Sequence, residues 1–294
     1  MDIEPDQIII TSGTSPAMLL SFGALLDMGD EVIVSDPGYA CYDTFIKFSD
    51  GIPKHVKVYE DNGFQFNIKD VREKISKNTK AILINSPANP TGTLLSRENM
   101  EEIADLGLYV VSDEIYHGLT YEGQEHSILE FTDRAFVLNG FSKKYAMTGW
   151  RLGYLIAPKD FVRCIQSLAQ NLFICASSIG QYAALAALRC AEQDVLEMKK
   201  IYDERRKYII KRLRDIGFKI VVEPTGAFYV FANAKRFTQD SYKFAFDILK
   251  NAHVGVTPGI DFGQNGEGFI RFSYANSLDN IKVAMDRIDR YLNG

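Results

Sequence analysis

Two lysines and an arginine stand close together in SKKYAMTGWRLGY (residues 142–154). A lysine held in a part-buried turn can lose enough of its charge to act as a nucleophile toward an aldehyde. In isolation Lys143 and Lys144 are chemically identical. Arg151, eight residues after Lys143, has the planar fork that grips a phosphate or carboxylate. Four other stretches carry comparable chemistry. TSGTSPAM (residues 11–18) is a turn into a helix, where free N–H groups form an anion cradle and Gly13 admits a ligand beside Thr14. Its local alternative is a plain helix start, with Ser15 as N-cap and Pro16 in the first turn. DPGYACYD (residues 36–43) presents Tyr39, suited to packing against a flat ring. NSPANPTG (residues 85–92) is a stiff polar loop offering Asn89. VVSDEIYHG (residues 110–118) ends an apolar run on Asp113, with Tyr116 following; a buried carboxylate is costly without a cationic partner. His117 reads as a supporting histidine rather than a base.

These stretches are positioned by alternating elements. QIIIT, EVIVSD, HVKVY, AILINSP, YVVSDE, AFVLNG and RLGYLIA read as strands, several of them apolar throughout, as in a sheet covered on both faces. Between them lie helical patterns such as SPAMLLSFGALLDMGD and SRENMEEIADLG, the second opening on a Ser cap. The alternation predicts an α/β fold around a mostly parallel sheet, with the chemical residues at the carboxyl ends of the strands. From about Gln181 the pattern turns helical for a long way. DVLEMKKIYDERRKYIIKRLRDIG carries Val195, Met198, Tyr202, Ile209, Leu213 and Ile216 on one stripe and stops at Gly217. The segments KIVVEP, GAFYVFAN, HVGVTPG and GFIRFSYA follow, together with helices near residues 241–252 and from Leu278. Residues 1–190 are therefore expected to form a large domain and residues 191–294 a smaller α+β domain, divided within a long helix near Ala191.

The chain has 294 residues and a formal net charge of −5, without a concentrated basic stripe, so nucleic acid is an unsuitable partner. No apolar run reaches the roughly 20 residues needed to cross a bilayer, and no leader pattern opens the chain, so a cytoplasmic location is expected. The four cysteines lack C-x-x-C spacing and are expected to be reduced and buried. The four histidines show no ligand-like pairing, so no metal site is expected.

Taken together, the cradle, ring, amide, carboxylate–phenol pair, amine and guanidinium suit a flat phosphorylated pyridine aldehyde. In order and spacing, NSPANPTG, SDEIY, SKKYAMTGWRLGY and GFIRFSYA resemble the class I/II aminotransferases, along nearly the whole chain. That resemblance implies the aspartate-aminotransferase-like fold type I, pyridoxal 5′-phosphate as cofactor, and a homodimer with active sites at the subunit interface. It also implies transfer of an amino group between an L-amino acid and a 2-oxo acid. It makes Lys143 the lysine that bonds the cofactor and the base of the reaction. Gly13, Thr14, Ser142 and Arg151 would hold the phosphate, Tyr39 would stack on the ring, and Asp113 would pair with the ring nitrogen. Asn89 and Tyr116 would hydrogen-bond the ring oxygen. Arg271, facing away from Ile270 and Phe272 in FIRFS, would grip the substrate carboxylate, with Asn89 beside it. Compared with the family, the chain begins late: Met1 falls just before the equivalent of IIITSGTSP, after the family's N-terminal segment. Two other readings share these residues: a β-lyase or decarboxylase on the same scaffold, and a shortened protein that binds the cofactor without catalysis. The aspartate-specific relatives' lysine near the phosphate turn is replaced here by GTSP, which gives aspartate no support as donor.

Overall fold

A computed structural model of the chain describes residues 2–294. Seven strands form the main sheet: β1 (Ile8–Thr11), β2 (Glu31–Asp36), β3 (Ile52–Lys57), β4 (Thr79–Asn85), β5 (Tyr109–Asp113), β6 (Ala135–Gly140) and β7 (Gly153–Ile156). Their order across the sheet is β1-β7-β6-β5-β4-β2-β3. All neighbours are parallel except at β7, which is antiparallel to both β1 and β6. The central strands β2, β4, β5 and β6 are apolar on successive residues because both faces are covered.

Helices α1 (Thr14–Leu25), α2 (Tyr42–Phe48) and α5 (Val162–Leu172) contribute to the core on one face; α3 (Ile68–Lys74) and α4 (Arg97–Ala104) contribute to the core on the other. Ser96 caps α4, its hydroxyl accepting from the Asn99 N–H at 3.1 Å, as the sequence pattern predicts. Helix α1 departs from expectation. It begins at Thr14 with Gly13 in the cap position, and no side chain caps it.

After α6 (Ser178–Cys190) the chain pauses at Ala191 and continues as α7 (Glu192–Ile216), so residue 191 separates two helices instead of lying within one. A second sheet, in order β8-β10-β9, is built from β8 (Tyr229–Asn233), β9 (Thr257–Pro258) and β10 (Phe269–Ser273), all antiparallel. It packs with α7, α8 (Ser241–Ala252) and α9 (Leu278–Asn293) around a separate core that includes Ile209, Leu213, Val230, Ile248, Ile270 and Ile288. In KIVVEP only Lys219 makes a bridge, to Asn233. The buried face of α7 also takes in Arg206, which bonds Asp203, Glu122 and the Pro224 carbonyl.

The cysteines correct the expectation of buried thiols: all four are free, but Cys164, Cys175 and Cys190 are exposed and Cys41 is half-buried. An apolar neighbourhood in sequence placed them on helices and turns whose outer faces they occupy. Among the described residues, no helix is long and apolar enough to cross a membrane.

Candidate active site

Parallel strands leave all their carboxyl ends on one edge of a sheet, and the loops beyond them converge there. Thr11, Asp36, Asn85, Asp113 and Gly140 end β1, β2, β4, β5 and β6. Arg151 reaches the same edge by a different route. It precedes β7, and β7 runs backwards, so its first residue, Gly153, lies opposite both Thr11 and Gly140. The stretch that carries Arg151 thus follows β6, as the sequence suggested, and leads directly into the reversed strand β7. Nine of the ten residues singled out from sequence line a single cavity of about 360 Å³: Thr14, Tyr39, Asn89, Asp113, Tyr116, Ser142, Lys143, Arg151 and Arg271. Gly13 adjoins it beneath Arg151.

At one end lies the start of α1. Gly13 adopts φ 104°, and a Cβ there would stand 2.8 Å from the Arg151 guanidinium. Arg151 itself is left-handed, at φ 50°, and donates from Nη1 to the Thr148 carbonyl at 3.1 Å. With no capping side chain, the first N–H groups of α1 remain available, and the helix dipole and the guanidinium both favour an anion there.

Lys143 and Lys144 part company in the turn after β6. The Lys143 ammonium is half-buried among Tyr116 and Phe228, 5.6 and 5.5 Å from their ring centroids. Burial pulls its pKa down, Asp113 opposes the fall, and Arg151 and Arg271 add to it. Lys144 points elsewhere, with its stem against Gly118 and its amine 5.3 Å from the Tyr145 ring. It is half-buried.

Asp113 is fully enclosed. Its carboxylate accepts from the Tyr42 hydroxyl at 3.0 Å and the Ile115 N–H at 3.3 Å. Burial pushes its pKa up to about 6 against these two donors, with Lys143 a smaller opposing influence. Asn85 ties the floor together: its Nδ2 donates to the Asp113 carbonyl at 2.7 Å, and its Oδ1 accepts from the Asn89 N–H at 2.8 Å. Tyr116 shares a 2.9 Å hydrogen bond with Tyr229, and burial holds the Tyr116 phenol neutral, well above its usual pKa.

From the small sheet, β10 brings in Arg271. Its Nη1 donates to Asn89 Oδ1 at 2.7 Å and its Nη2 to Thr257 Oγ1 at 3.1 Å. The guanidinium lies between Tyr229 and Phe262, 4.4 and 4.8 Å from the centroids, and its buried Nε has no partner among the described residues. His117 does not line the cavity; its Nδ1 lies 3.4 Å from Glu114. Sequence reasoning missed Tyr42, Asn85, Tyr229, Thr257 and Phe262. Asn85 and Tyr42 fall inside stretches already marked as chemical; Tyr229 and Thr257 reach Arg271 through the pairing of β8 and β9 with β10, and Phe262 through the 3₁₀ turn that links β9 to β10.

The cavity therefore holds three cations against one carboxylate, with an open helix start at one end and an under-bonded guanidinium supplied by the second sheet. The chain matches the family model for aminotransferase class I and II over residues 1–288. It is 44% identical over 296 residues to the (5-formylfuran-3-yl)methyl phosphate transaminase of Methanocaldococcus jannaschii, covering 99% of this chain and 77% of that protein. It is 41% identical over 302 residues to an aspartate aminotransferase of Pyrococcus horikoshii, covering 100% and 77%. Among solved structures, the aspartate aminotransferase of Thermotoga maritima aligns with a TM-score of 0.94 at 38% identity, covering 100% of this chain and 78% of that one. The chain thus spans about three quarters of the length of these relatives and shares their fold type I architecture. It belongs to the class I and II aminotransferases.

Proposed function

We propose that the protein is a cytoplasmic, homodimeric transaminase that moves an amino group between an L-amino acid and a 2-oxo acid, using pyridoxal 5′-phosphate bound in the cavity. The observation that carries the reading is the meeting of Lys143, its pKa lowered, with the buried carboxylate of Asp113 and the uncapped start of α1 in one cavity. The residues fit the cofactor. The α1 N–H groups, Ser142 and Arg151 suit its phosphate, and Gly13 leaves that cradle open where a Cβ would meet the guanidinium. Tyr39 suits the ring face, Asp113 the ring nitrogen, and Asn89 and Tyr116 the ring oxygen. Residues 1–190 then form the cofactor-bearing part and residues 191–294 the part that brings Arg271. A row of exposed apolar residues on α6, Ile179, Tyr182, Leu185 and Leu188, supports a subunit interface.

When bound, the cofactor supplies an aldehyde that carries the amino group and a ring that accepts the electrons released at the substrate Cα. The protein's part follows from its own residues. Asp113, when ionised, would hold the ring nitrogen and favour its protonated form by supplying a negative charge. Lys143 would supply the amine that takes the Cα proton and returns it on the far side of the transfer; burial lowers its pKa, which favours the uncharged amine over that of an exposed lysine. Arg271 would grip the α-carboxylate, offering an Nε–H that no group among the described residues satisfies. Mixing the cofactor-loaded protein with a panel of amino acids tests the reading. One 2-oxo acid should form per cofactor, and no ammonia should be released. Ammonia and pyruvate formed without an acceptor would instead mark a lyase.

A further inference from the structure

The segment between β9 and β10 touches both halves of the site. It begins beside Thr257, whose hydroxyl accepts from Arg271, and runs through two short 3₁₀ turns, Gly259–Phe262 and Gln264–Gly266. The first turn places Phe262 against the Arg271 guanidinium. The same segment is fastened to the loop that leaves β2. The Phe262 carbonyl accepts from the Gly38 N–H at 2.8 Å. The Asn265 N–H donates to Asp36 Oδ1 at 2.9 Å, and Asn265 Nδ2 donates to the carbonyls of Val58 at 2.7 Å and Asp36 at 3.3 Å. Asp36 is buried, and Gly263, at φ 124°, passes so close that a Cβ would collide with its carboxylate. Tyr39 directly follows Gly38 in this loop.

Two residues brought in by different sheets, Tyr39 and Arg271, are therefore joined through one set of hydrogen bonds between positions more than 200 apart in the chain. We propose that Asn265 is a positioning residue that holds the Arg271 side of the cavity in register with the Tyr39 side, with Asp36 as its counterpart. The inference rests on the roles given above to Arg271 and Tyr39. Neither Asn265 nor Asp36 lines the cavity, so their effect is on where the binding groups stand. Removing Nδ2 takes the side-chain donor from the Val58 carbonyl, while the Asp36 carbonyl keeps the Val58 N–H at 2.9 Å; the loop relieves the loss at Val58 by moving away.

Three variants test this. Asn265→Ala keeps the backbone bond to Asp36 and removes the side-chain pair. Asp36→Ala removes the acceptor, and Asp36→Asn restores an acceptor oxygen without the charge. For Asn265→Ala and Asp36→Ala we expect KM to rise about tenfold for both the amino donor and the oxo-acid acceptor, with kcat within about twofold. Asp36→Asn should return KM to within about twofold of the wild type. In the cofactor-free Asn265→Ala protein, hydrogen exchange should quicken about tenfold at residues 36–39 and 259–266 and not in β5 or β6. An unchanged KM, a loss confined to kcat, or exchange that quickens evenly through the chain would overturn the proposal. The wild type measured in parallel separates the two levels. If it transaminates while Asn265→Ala matches it, only the positioning role fails; if it does not transaminate, both readings fail.

Discussion

The Tyr42 hydroxyl donates to Oδ2 of Asp113 at 3.0 Å, in a fully buried contact between residues 71 apart in the chain. The bond opposes the effect of burial on Asp113, whose pKa still stands at about 6. Burial also holds the Tyr42 phenol well above its usual pKa, so it remains a donor across the working range. Tyr42 thereby helps decide how much of Asp113 is ionised.

Replacing Tyr42 by Phe removes a donor that lowers the Asp113 pKa, so the carboxyl titrates at higher pH than in the wild type. Cofactor affinity should then fall about tenfold at pH 6 but less than about threefold at pH 8, where the carboxyl is ionised in both proteins. Cofactor titrations of the apoprotein at the two pH values check this. An equal loss at both would assign Tyr42 a packing role only.

Asp113→Asn should separate stability from function. The folded-state pKa is raised from 3.8 to about 6, so the folded chain holds the proton more tightly than the unfolded one. The associated stability is present below about pH 3.8 and is lost as pH rises through about 6. At neutral pH the buried anion costs on the order of 3 kcal/mol. Without cofactor, Asp113→Asn should melt higher than the wild type at pH 8 and much the same near pH 4, while transamination falls at least about 100-fold. Thermal melts and turnover assays at matched pH give both readings.

Much of this arrangement could be read from residues in order. Asp113 stands out because a charge closes the apolar run YVVSD, and Ser96 because a hydroxyl precedes a helical pattern. Other features have no local trace. Tyr42 and Asn265 look like ordinary aromatic and turn residues until the fold brings in partners 71 and 229 positions away. The reversal of β7 is equally invisible, because an apolar strand reads alike in either direction. At α1, Ser15 and Pro16 offered a conventional cap, but the helix starts earlier, at the glycine over which Arg151 closes.

Gly13→Ala introduces a methyl group 2.8 Å from Arg151 at a left-handed position. Strain and crowding together should cost about 1–2 kcal/mol of stability. Cofactor affinity should drop more than tenfold, since the displaced guanidinium borders the proposed phosphate cradle. Denaturant unfolding and cofactor titration measure the two effects separately.

Arg271→Ala should raise KM for the amino donor about 100-fold, the scale of a lost charge-assisted, two-pronged contact. Arg271→Lys should recover little of it, because an ammonium cannot reproduce the fork that reaches Asn89 and Thr257 together. Steady-state kinetics of the three proteins with one donor are sufficient.

The two adjacent lysines offer the most direct test of the central claim. Lys143→Ala and Lys144→Ala should be loaded with pyridoxal 5′-phosphate and compared by absorbance and by half-transamination. We expect Lys143→Ala to lose the absorbance of lysine-bound cofactor and essentially all turnover, while Lys144→Ala keeps both within about threefold of the wild type. Retention of the lysine-bound spectrum in Lys143→Ala, or its loss in Lys144→Ala instead, would contradict the assignment.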